Sequence, residues 1–167
     1  MVGQNLGANQ ADRAERAVWI AAKASAGAMI AAAAIAALFP EPIVGVFMAT
    51  GTDRAAETVR LGSEYLRIRS VEFAFIGVSQ VILGAFRGAG NTKTAMVISI
   101  LTLWVGRVAS VGYLVFIAGW GETGVWVGMA LGNVLGAAIG VAWFARGTWT
   151  ERYIDDADAE VEPIASD

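Results

Sequence analysis

The chain contains the stretch Gly84–Ala85–Phe86–Arg87–Gly88–Ala89–Gly90–Asn91–Thr92–Lys93–Thr94, a short, basic, glycine-rich turn between two apolar segments. Gly88 and Gly90 tolerate positive φ and carry no side chain that would clash with neighbouring helices. Arg87 and Lys93 place two positive charges at the ends of the apolar segments, where cytoplasmic loops of membrane proteins carry them. The stretch therefore predicts two membrane-spanning helices joined by a tight cytoplasmic turn.

The composition argues against a soluble protein. Of the 167 residues, 56% are hydrophobic and only 16% are charged, whereas a soluble domain carries about 25% charged residues. The sequence has neither cysteine nor histidine, which excludes disulfides and thiolate sites and removes the commonest general base and metal ligand. It also lacks a phosphate-binding loop and a nucleophile elbow. We therefore expect no enzyme, no cofactor and no nucleic-acid partner.

Hydropathy predicts an all-α membrane protein with four transmembrane helices. The four-helix region covers 17–149, with spans at about 17–39, 65–86, 94–118 and 123–145. Residues 1–16 are predicted to form the end of a preceding helix and a cytoplasmic loop. The acidic tail, 150–167, is predicted to be cytoplasmic and disordered.

The distribution of basic residues predicts the orientation. Four spans place both termini on one side of the membrane, and that side holds Arg13, Arg16, Lys23, Arg87, Lys93, Arg146 and Arg152. The excess of lysine and arginine places both termini in the cytoplasm, with the protein in the plasma (inner) membrane. Trp19, Trp120 and Trp149 fall near the predicted interfaces and are interpreted as anchors in the aromatic belt.

Small residues recur every fourth position in the last span, at Gly128, Gly132, Gly136 and Gly140. Such rows allow helices to approach closely. We expect this glycine stripe to pack against other helices of the same chain. A seam between two copies of the chain is the alternative.

Four polar residues within or beside the apolar segments are candidates for transport or coupling. Arg107 is either part of an ion pair or hydrogen-bonded anchor, with Glu72 in reach, or it faces a transport cavity. Glu72 is either a proton-coupling carboxylate or a solvated helix end that forms a local salt bridge with Arg69, three residues earlier. Gln80 and Asn133 either form hydrogen bonds between helices or line a substrate path.

Three pairs of segments resemble the multidrug and toxic compound extrusion (MATE) family of cation-coupled antiporters. They are Val2–Gly3–Gln4–Asn5–Leu6–Gly7–Ala8 with Arg13–Ala14–Glu15–Arg16–Ala17, Tyr65–Leu66–Arg67–Ile68 with Phe86–Arg87–Gly88–Ala89–Gly90–Asn91–Thr92, and Trp104–Val105–Gly106–Arg107–Val108 with Gly124–Val125–Trp126. All three occur in the order, spacing and orientation of the family's helices eight to twelve. The resemblance covers residues 2–149.

The resemblance implies a secondary active transporter that exports organic cations or amphipathic drugs by Na⁺ or H⁺ antiport. The family has twelve helices in two six-helix lobes, and the chain matches the last four, within the second lobe. The partners implied are the lipid bilayer, a small organic substrate, and the missing N-terminal lobe with two further helices. The turn residues implied to act as a cytoplasmic hinge are Arg87, Gly88, Gly90, Asn91 and Thr92.

The sequence departs from the family pattern in ways that affect these implications. Asn91 replaces the aspartate of many members, and Val108 follows Arg107 without the proline often found in that region. The acidic residue that some members carry in the tenth helix has no match, since Ile76 lies near its position and Glu72 lies one turn earlier. We also expect Met1 to mark a truncated or miscalled start, a split gene or a remnant.

Two other functions remain open from the sequence. One is a lipid-linked oligosaccharide flippase of related architecture. The other is a free-standing four-helix membrane subunit or small dimeric exporter. Small dimeric exporters carry an essential carboxylate inside a span, whereas the only acid in these spans is Glu72, at one end.

Overall fold

The computed structural model of the protein describes residues 1–48, 53–147 and 149–150. Within these residues the chain forms helices and no strands. The helices are α1 (Val2–Gly7), α2 (Ala11–Leu38), α3 (Pro40–Gly45), α4 (Asp53–Ser70), α5 (Phe73–Gly88), α6 (Thr92–Ile117) and α7 (Gly121–Ala145). Most of the predicted disordered tail, 151–167, lies outside the described residues.

Three helices are long and apolar enough to cross a membrane: α2, α6 and α7, with 28, 26 and 25 residues. At 1.5 Å per residue, each exceeds the roughly 30 Å of a bilayer core. Helices α4 and α5 pass the same test only as a pair bent by 53°. The region predicted as the second span, 65–86, is therefore divided between two helices. The prediction of an all-α membrane protein is confirmed.

Local hydrogen bonding accounts for the bend between α4 and α5. The Ser70 hydroxyl donates to the backbone carbonyl of Arg67 at 2.8 Å, and such side-chain bonds compete with the helical ladder. The Glu72 amide donates to the carbonyl of Arg69 at 3.2 Å, a three-residue spacing that tightens the last turn of α4. The new helix then starts with Glu72 at its N-cap. As a result, a carboxylate lies where the α5 dipole favours negative charge.

Helix α6 packs closely on the glycine stripe of α7, the residues Gly128, Gly132, Gly136 and Gly140, all of which are buried. A Cβ built on Gly132 would lie 2.8 Å from the backbone of Arg107. A Cβ on Gly128 would lie 2.7 Å from the backbone nitrogen of Val111. The expected packing within the chain is confirmed. Gly124, one turn earlier, extends the stripe against the backbone of Leu114.

The facing part of α6 departs from regular α-helical geometry. Leu101–Val108 and Tyr113–Ile117 are π-helical. Arg107 lies in the first of these segments, and its neighbour Gly106 approaches the backbone of Gly132 so closely that a Cβ there would lie 3.1 Å away. Wide turns of this kind are frequent at functional sites.

The hydrophobic core lies at the end of the bundle formed by α1, the start of α2 and the end of α7. The ring of Phe144 is its centre, with Trp149 stacked at 5.0 Å, Trp19 edge-on at 5.7 Å and Phe86 edge-on at 6.1 Å. Only 2% of Trp149 is exposed, so its interpretation as a belt anchor is wrong. The positive φ of Gly147 ends α7 and reverses the chain, which returns Trp149 onto the bundle.

Candidate functional site

Glu72 is the only acidic side chain that the described residues bury completely. It lies at the bend between α4 and α5, and its Oε1 lies 2.6 Å from Nη2 of Arg69. This contact has the distance of an ion pair, although its angles are not those of a hydrogen bond. The local salt bridge expected from the three-residue spacing is therefore present, but the expected solvation of this helix end is wrong, because none of Glu72 is exposed.

Asn133 on α7 connects Glu72 to Arg107 on α6. Its Nδ2 donates to Oε2 of Glu72 at 2.8 Å, and its Oδ1 accepts from Nη2 of Arg107 at 3.2 Å. The two partners fix the orientation of the amide, because a carboxylate only accepts and a guanidinium only donates. Glu72 and Arg107 therefore do not pair directly. We refer to Arg69, Glu72, Asn133 and Arg107 as the polar network.

The polar network carries two positive charges and one negative charge. Arg69 is mostly buried, with its guanidinium 5.7 Å from the ring of Tyr65. Its Nε and Nη1, and the Nε of Arg107, are buried without a hydrogen-bond partner among the described residues. Each unpaired buried donor of this kind lowers the free energy of unfolding by about 1–3 kcal/mol, and a charged donor lowers it by more. The network thus leaves one cation without a matching anion.

A cleft of about 190 Å³ lies beside the Arg107 end of the network, between α5, α6 and α7. Two leucines and six polar residues line it; the polar residues are Ser79, Gln80, Ser99, Thr102, Arg107 and Asn133. Gln80 is exposed and lines the cleft without a hydrogen bond to the network. The structure therefore places Arg107, Asn133 and Gln80 at one cleft, with Glu72 behind Asn133.

Sequence reasoning missed the two hydroxyl residues that α6 contributes to the cleft, Ser99 and Thr102. Their three-residue spacing would place both on one helical face. Both hydroxyls donate to backbone carbonyls four residues earlier, at 2.8 Å. Their oxygen lone pairs remain available to the cleft.

The predicted hinge turn lies at the other end of α5, away from the polar network. Gly90 has φ +76°, and its amide donates to the carbonyl of Arg87 at 3.1 Å. The Asn91 amide donates to the carbonyl of Phe86 at 2.9 Å. Together these bonds form a Schellman motif that closes α5.

Asn91 also starts the next helix. Its Oδ1 accepts from the amide of Thr94 at 3.4 Å and from the Thr94 hydroxyl at 2.7 Å. On the other side of the turn, α1 packs so closely that a Cβ on Gly88 would lie 3.2 Å from Cβ of Val2. Arg87 and Thr92 are exposed. The turn is thus capped on both sides, and its role as a hinge stays a prediction.

Comparison with known proteins identifies the family. The MatE family model matches residues 1–112. The chain is 33% identical, over 145 residues, to a "Probable multidrug resistance protein NorM" of Synechococcus sp., an alignment that covers 87% of the chain and 31% of that protein. It is 31% identical over 140 residues to a protein of the same name from Pseudomonas aeruginosa, covering 84% of the chain and 28% of the relative.

A third relative from Rhodopseudomonas palustris, also named "Probable multidrug resistance protein NorM", is 31% identical over 145 residues. The alignment covers 87% of the chain and 30% of the relative, so the chain spans about a third of the length of the curated proteins it matches. No solved structure matches the chain significantly. The match of the family model to more than half of the residues shows that this chain belongs to the MatE family.

Proposed function

We propose that the chain forms part of a secondary active efflux transporter that exports organic cations or amphipathic drugs in exchange for Na⁺ or H⁺. Family membership and the multidrug-resistance names of the relatives support this proposal. The relatives are about three times as long as their match to this chain. We therefore propose that transport requires partners supplying an N-terminal lobe and two further helices, as well as a bilayer and a small organic substrate.

The observation that carries the proposal is the complete burial of Glu72 inside an apolar bundle. An ionisable residue within a membrane is costly, and such residues mark ion or substrate paths. A carboxylate can bind a proton or coordinate Na⁺, and either event neutralises it.

Neutralisation of Glu72 would weaken two contacts at once: its ion pair with Arg69 and its hydrogen bond from Asn133. The first contact closes the bend between α4 and α5, and the second ties that bend to α7. Cation binding at Glu72 would therefore change how α4 and α5 pack on α7. This supplies a physical route from ion binding to helix movement.

The proposed location is the plasma membrane, with both termini in the cytoplasm. The end of the bundle formed by α1, the start of α2 and the end of α7 carries exposed Arg13, Arg16, Arg87 and Lys93. The opposite end carries Arg60, Arg67 and Arg69, each of them paired with an acidic side chain: Glu57 and Glu64, Glu41, and Glu72. The bias of basic residues toward the terminal end supports this orientation.

Dye efflux from whole cells tests the function. The chain, with any in-frame coding sequence that flanks it, is expressed in a strain without its own efflux pumps. Glu72→Gln keeps the shape of the side chain and removes its charge, so we expect the initial efflux rate to fall at least about tenfold, which corresponds to one lost charged interaction. The matched control, Glu41→Gln, removes an exposed carboxylate and should leave the rate nearly unchanged.

Collapsing the Na⁺ gradient and the proton gradient separately identifies the coupling ion. The efflux of the unmodified protein should stop in one case and persist in the other. Efflux by Glu72→Gln at the unmodified rate and abundance would contradict the coupling role of Glu72. Absence of any dye efflux or gained drug resistance when the unmodified protein is expressed together with an N-terminal lobe and two further helices would contradict the transport function.

A further inference from the structure

The polar network has an excess positive charge, and that charge is located on Arg107. Glu72 is neutralised by Arg69 at 2.6 Å, and the hydrogen bond from Asn133 adds no charge. None of the ion pairs in the described part of the chain involves Arg107. Its one hydrogen bond goes to a neutral amide oxygen, at 3.2 Å.

Arg107 lies far from either end of α6, and its half-buried side chain reaches the cleft rather than a helix end. It lies 15 residues after Thr92 and ten before Ile117, or about 22 Å and 15 Å along the helix axis. The buried Nε has no hydrogen-bond partner among the described residues. A guanidinium has five N–H donors, and only one of those of Arg107 has an acceptor. An arginine at this depth faces the interior of the bundle or a water-filled cavity, and it takes an anion or a carbonyl oxygen as its partner.

The cleft beside Arg107 has the size and the lining for a small anionic ligand. Its 190 Å³ would hold about six water molecules. Ser99 and Thr102 donate their hydroxyl hydrogens to their own helix and offer no donor to an anion, whereas Ser79 and Gln80 are neutral donors beside the charged Arg107. Leu83 and Leu103 form apolar walls. Arg107 is therefore the anchoring group, with apolar surface next to it.

We propose that this cleft binds a carboxylate attached to a small apolar body, with the guanidinium of Arg107 as its anchor. A carboxylate matches the planar fork of a guanidinium with two parallel hydrogen bonds, and it cancels the excess charge of the network. The apolar body would lie against Leu83 and Leu103. The proposal goes beyond cation-coupled export because it assigns an anion site, and it holds for any direction of transport. Two sources fit this chemistry: a water-soluble carboxylic acid whose apolar body lies within the cleft, or a free fatty acid whose chain continues out of the open cleft into the bilayer.

Binding to the whole chain in phosphatidylcholine nanodiscs tests the proposal. The first probe is 4-fluorobenzoate followed by ¹⁹F NMR, with uncharged 4-fluorobenzamide as the matched control. The second probe is palmitate labelled with ¹³C in its carboxyl group. We expect one of the two carboxylates to bind, and the one that binds identifies the source.

Arginine variants assign the binding to the cleft. Arg107→Gln should weaken binding by roughly tenfold to a hundredfold, the effect of losing a charged hydrogen-bond donor. Arg107→Lys keeps the positive charge and loses the planar fork, so its affinity for the carboxylate should lie between those of the unmodified chain and Arg107→Gln. This variant also tests the proposal if Arg107→Gln does not fold. The control Arg67→Gln removes an arginine that is 56% exposed and pairs with Glu41 outside the cleft, and it should bind as the unmodified chain does.

Two results would overturn the proposal. One is that neither carboxylate binds the unmodified chain above the level of 4-fluorobenzamide. The other is that binding persists undiminished in the folded Arg107 variants, or falls equally in Arg67→Gln. The circular dichroism of each variant provides the check on folding.

Discussion

Asn133 donates from Nδ2 to Oε2 of Glu72 at 2.8 Å, across 61 positions of sequence. The bond ties the N-cap of α5 to the middle of α7, and the other atom of the same amide accepts from Arg107 on α6. One neutral side chain thus holds three helices and separates two opposite charges. Most of the expected behaviour of the site follows from this arrangement.

Removal of the amide should destabilise the bundle. Asn133→Ala removes one hydrogen-bond partner from a buried carboxylate and one from a guanidinium. We therefore expect the free energy of unfolding to fall by about 1–3 kcal/mol. Gln80→Ala removes an exposed amide at the same cleft, and it should lower the free energy of unfolding much less. Unfolding by sodium dodecyl sulfate, followed by circular dichroism, compares the two. Equal stability of both variants would mean that the network contributes nothing.

The close contact of α6 with α7 predicts a cost for adding one methyl group. Gly132→Ala would place Cβ 2.8 Å from the backbone of Arg107, which cannot move aside as a flexible side chain could, so we expect a loss of about 1–3 kcal/mol. Gly84→Ala, within α5, meets no atom within 4 Å. That control should be neutral or slightly stabilising, since alanine favours helix. The same unfolding assay measures both variants. A Gly84→Ala variant less stable than Gly132→Ala would contradict the described packing.

The turn after α5 should be sensitive at Asn91. Asn91→Ala removes the oxygen that accepts from Thr94, and loss of such a cap costs about 1 kcal/mol. Asn91→Asp retains the acceptor and adds a negative charge at a helix N-terminus, so its stability should equal or exceed that of the unmodified chain. Thermal unfolding in detergent provides the measurement. A destabilised aspartate variant would refute the capping role.

The tryptophan that follows α7 should behave as a core residue. Trp149→Ala removes a side chain that is 2% exposed and stacks on Phe144, and truncation of a buried aromatic costs about 3–5 kcal/mol. Trp120, which is 52% exposed, provides the matched control as Trp120→Ala. Thermal unfolding should show a clear loss for the first variant and a small one for the second. Similar values would place Trp149 in the membrane interface after all.

The absence of cysteine permits a direct test of orientation. Lys93→Cys marks the end of the bundle that carries the termini, and Glu41→Cys marks the opposite end. If the termini are cytoplasmic, a membrane-impermeant maleimide added to intact cells should label only Glu41→Cys. Both variants should react after lysis. Labelling of Lys93→Cys alone in intact cells would show the opposite orientation.

Local patterns were sufficient for much of the site. The salt bridge of Arg69 with Glu72 depends on three-residue spacing within one turn of the chain. The stripe from Gly128 to Gly140 indicated a close helix contact, because only backbone remains on that face. In each case the interacting groups are neighbours in sequence or repeat with the helical period.

The partners across helices could not be predicted in the same way. Sequence indicated that Glu72 and Arg107 lie at similar depth, which favoured a direct pair. Asn133 lies between them for two reasons. Helices α4 and α5 are bent by 53°, and the glycines of α7 set the position of α6 along that helix. Likewise Trp149, near a predicted interface by position, is buried because Gly147 reverses the chain onto Phe144.

The sequence by itself determined the membrane class, the apolar segments and the glycine stripe, since hydropathy and helical spacing are read over a few residues. Only the tertiary structure decided which polar groups meet and which charge stays unmatched. The physical reason is that a buried polar group takes whichever partner the packing of distant helices brings within about 3 Å. In this protein the packing gives Glu72 two partners and leaves Arg107 with one neutral oxygen.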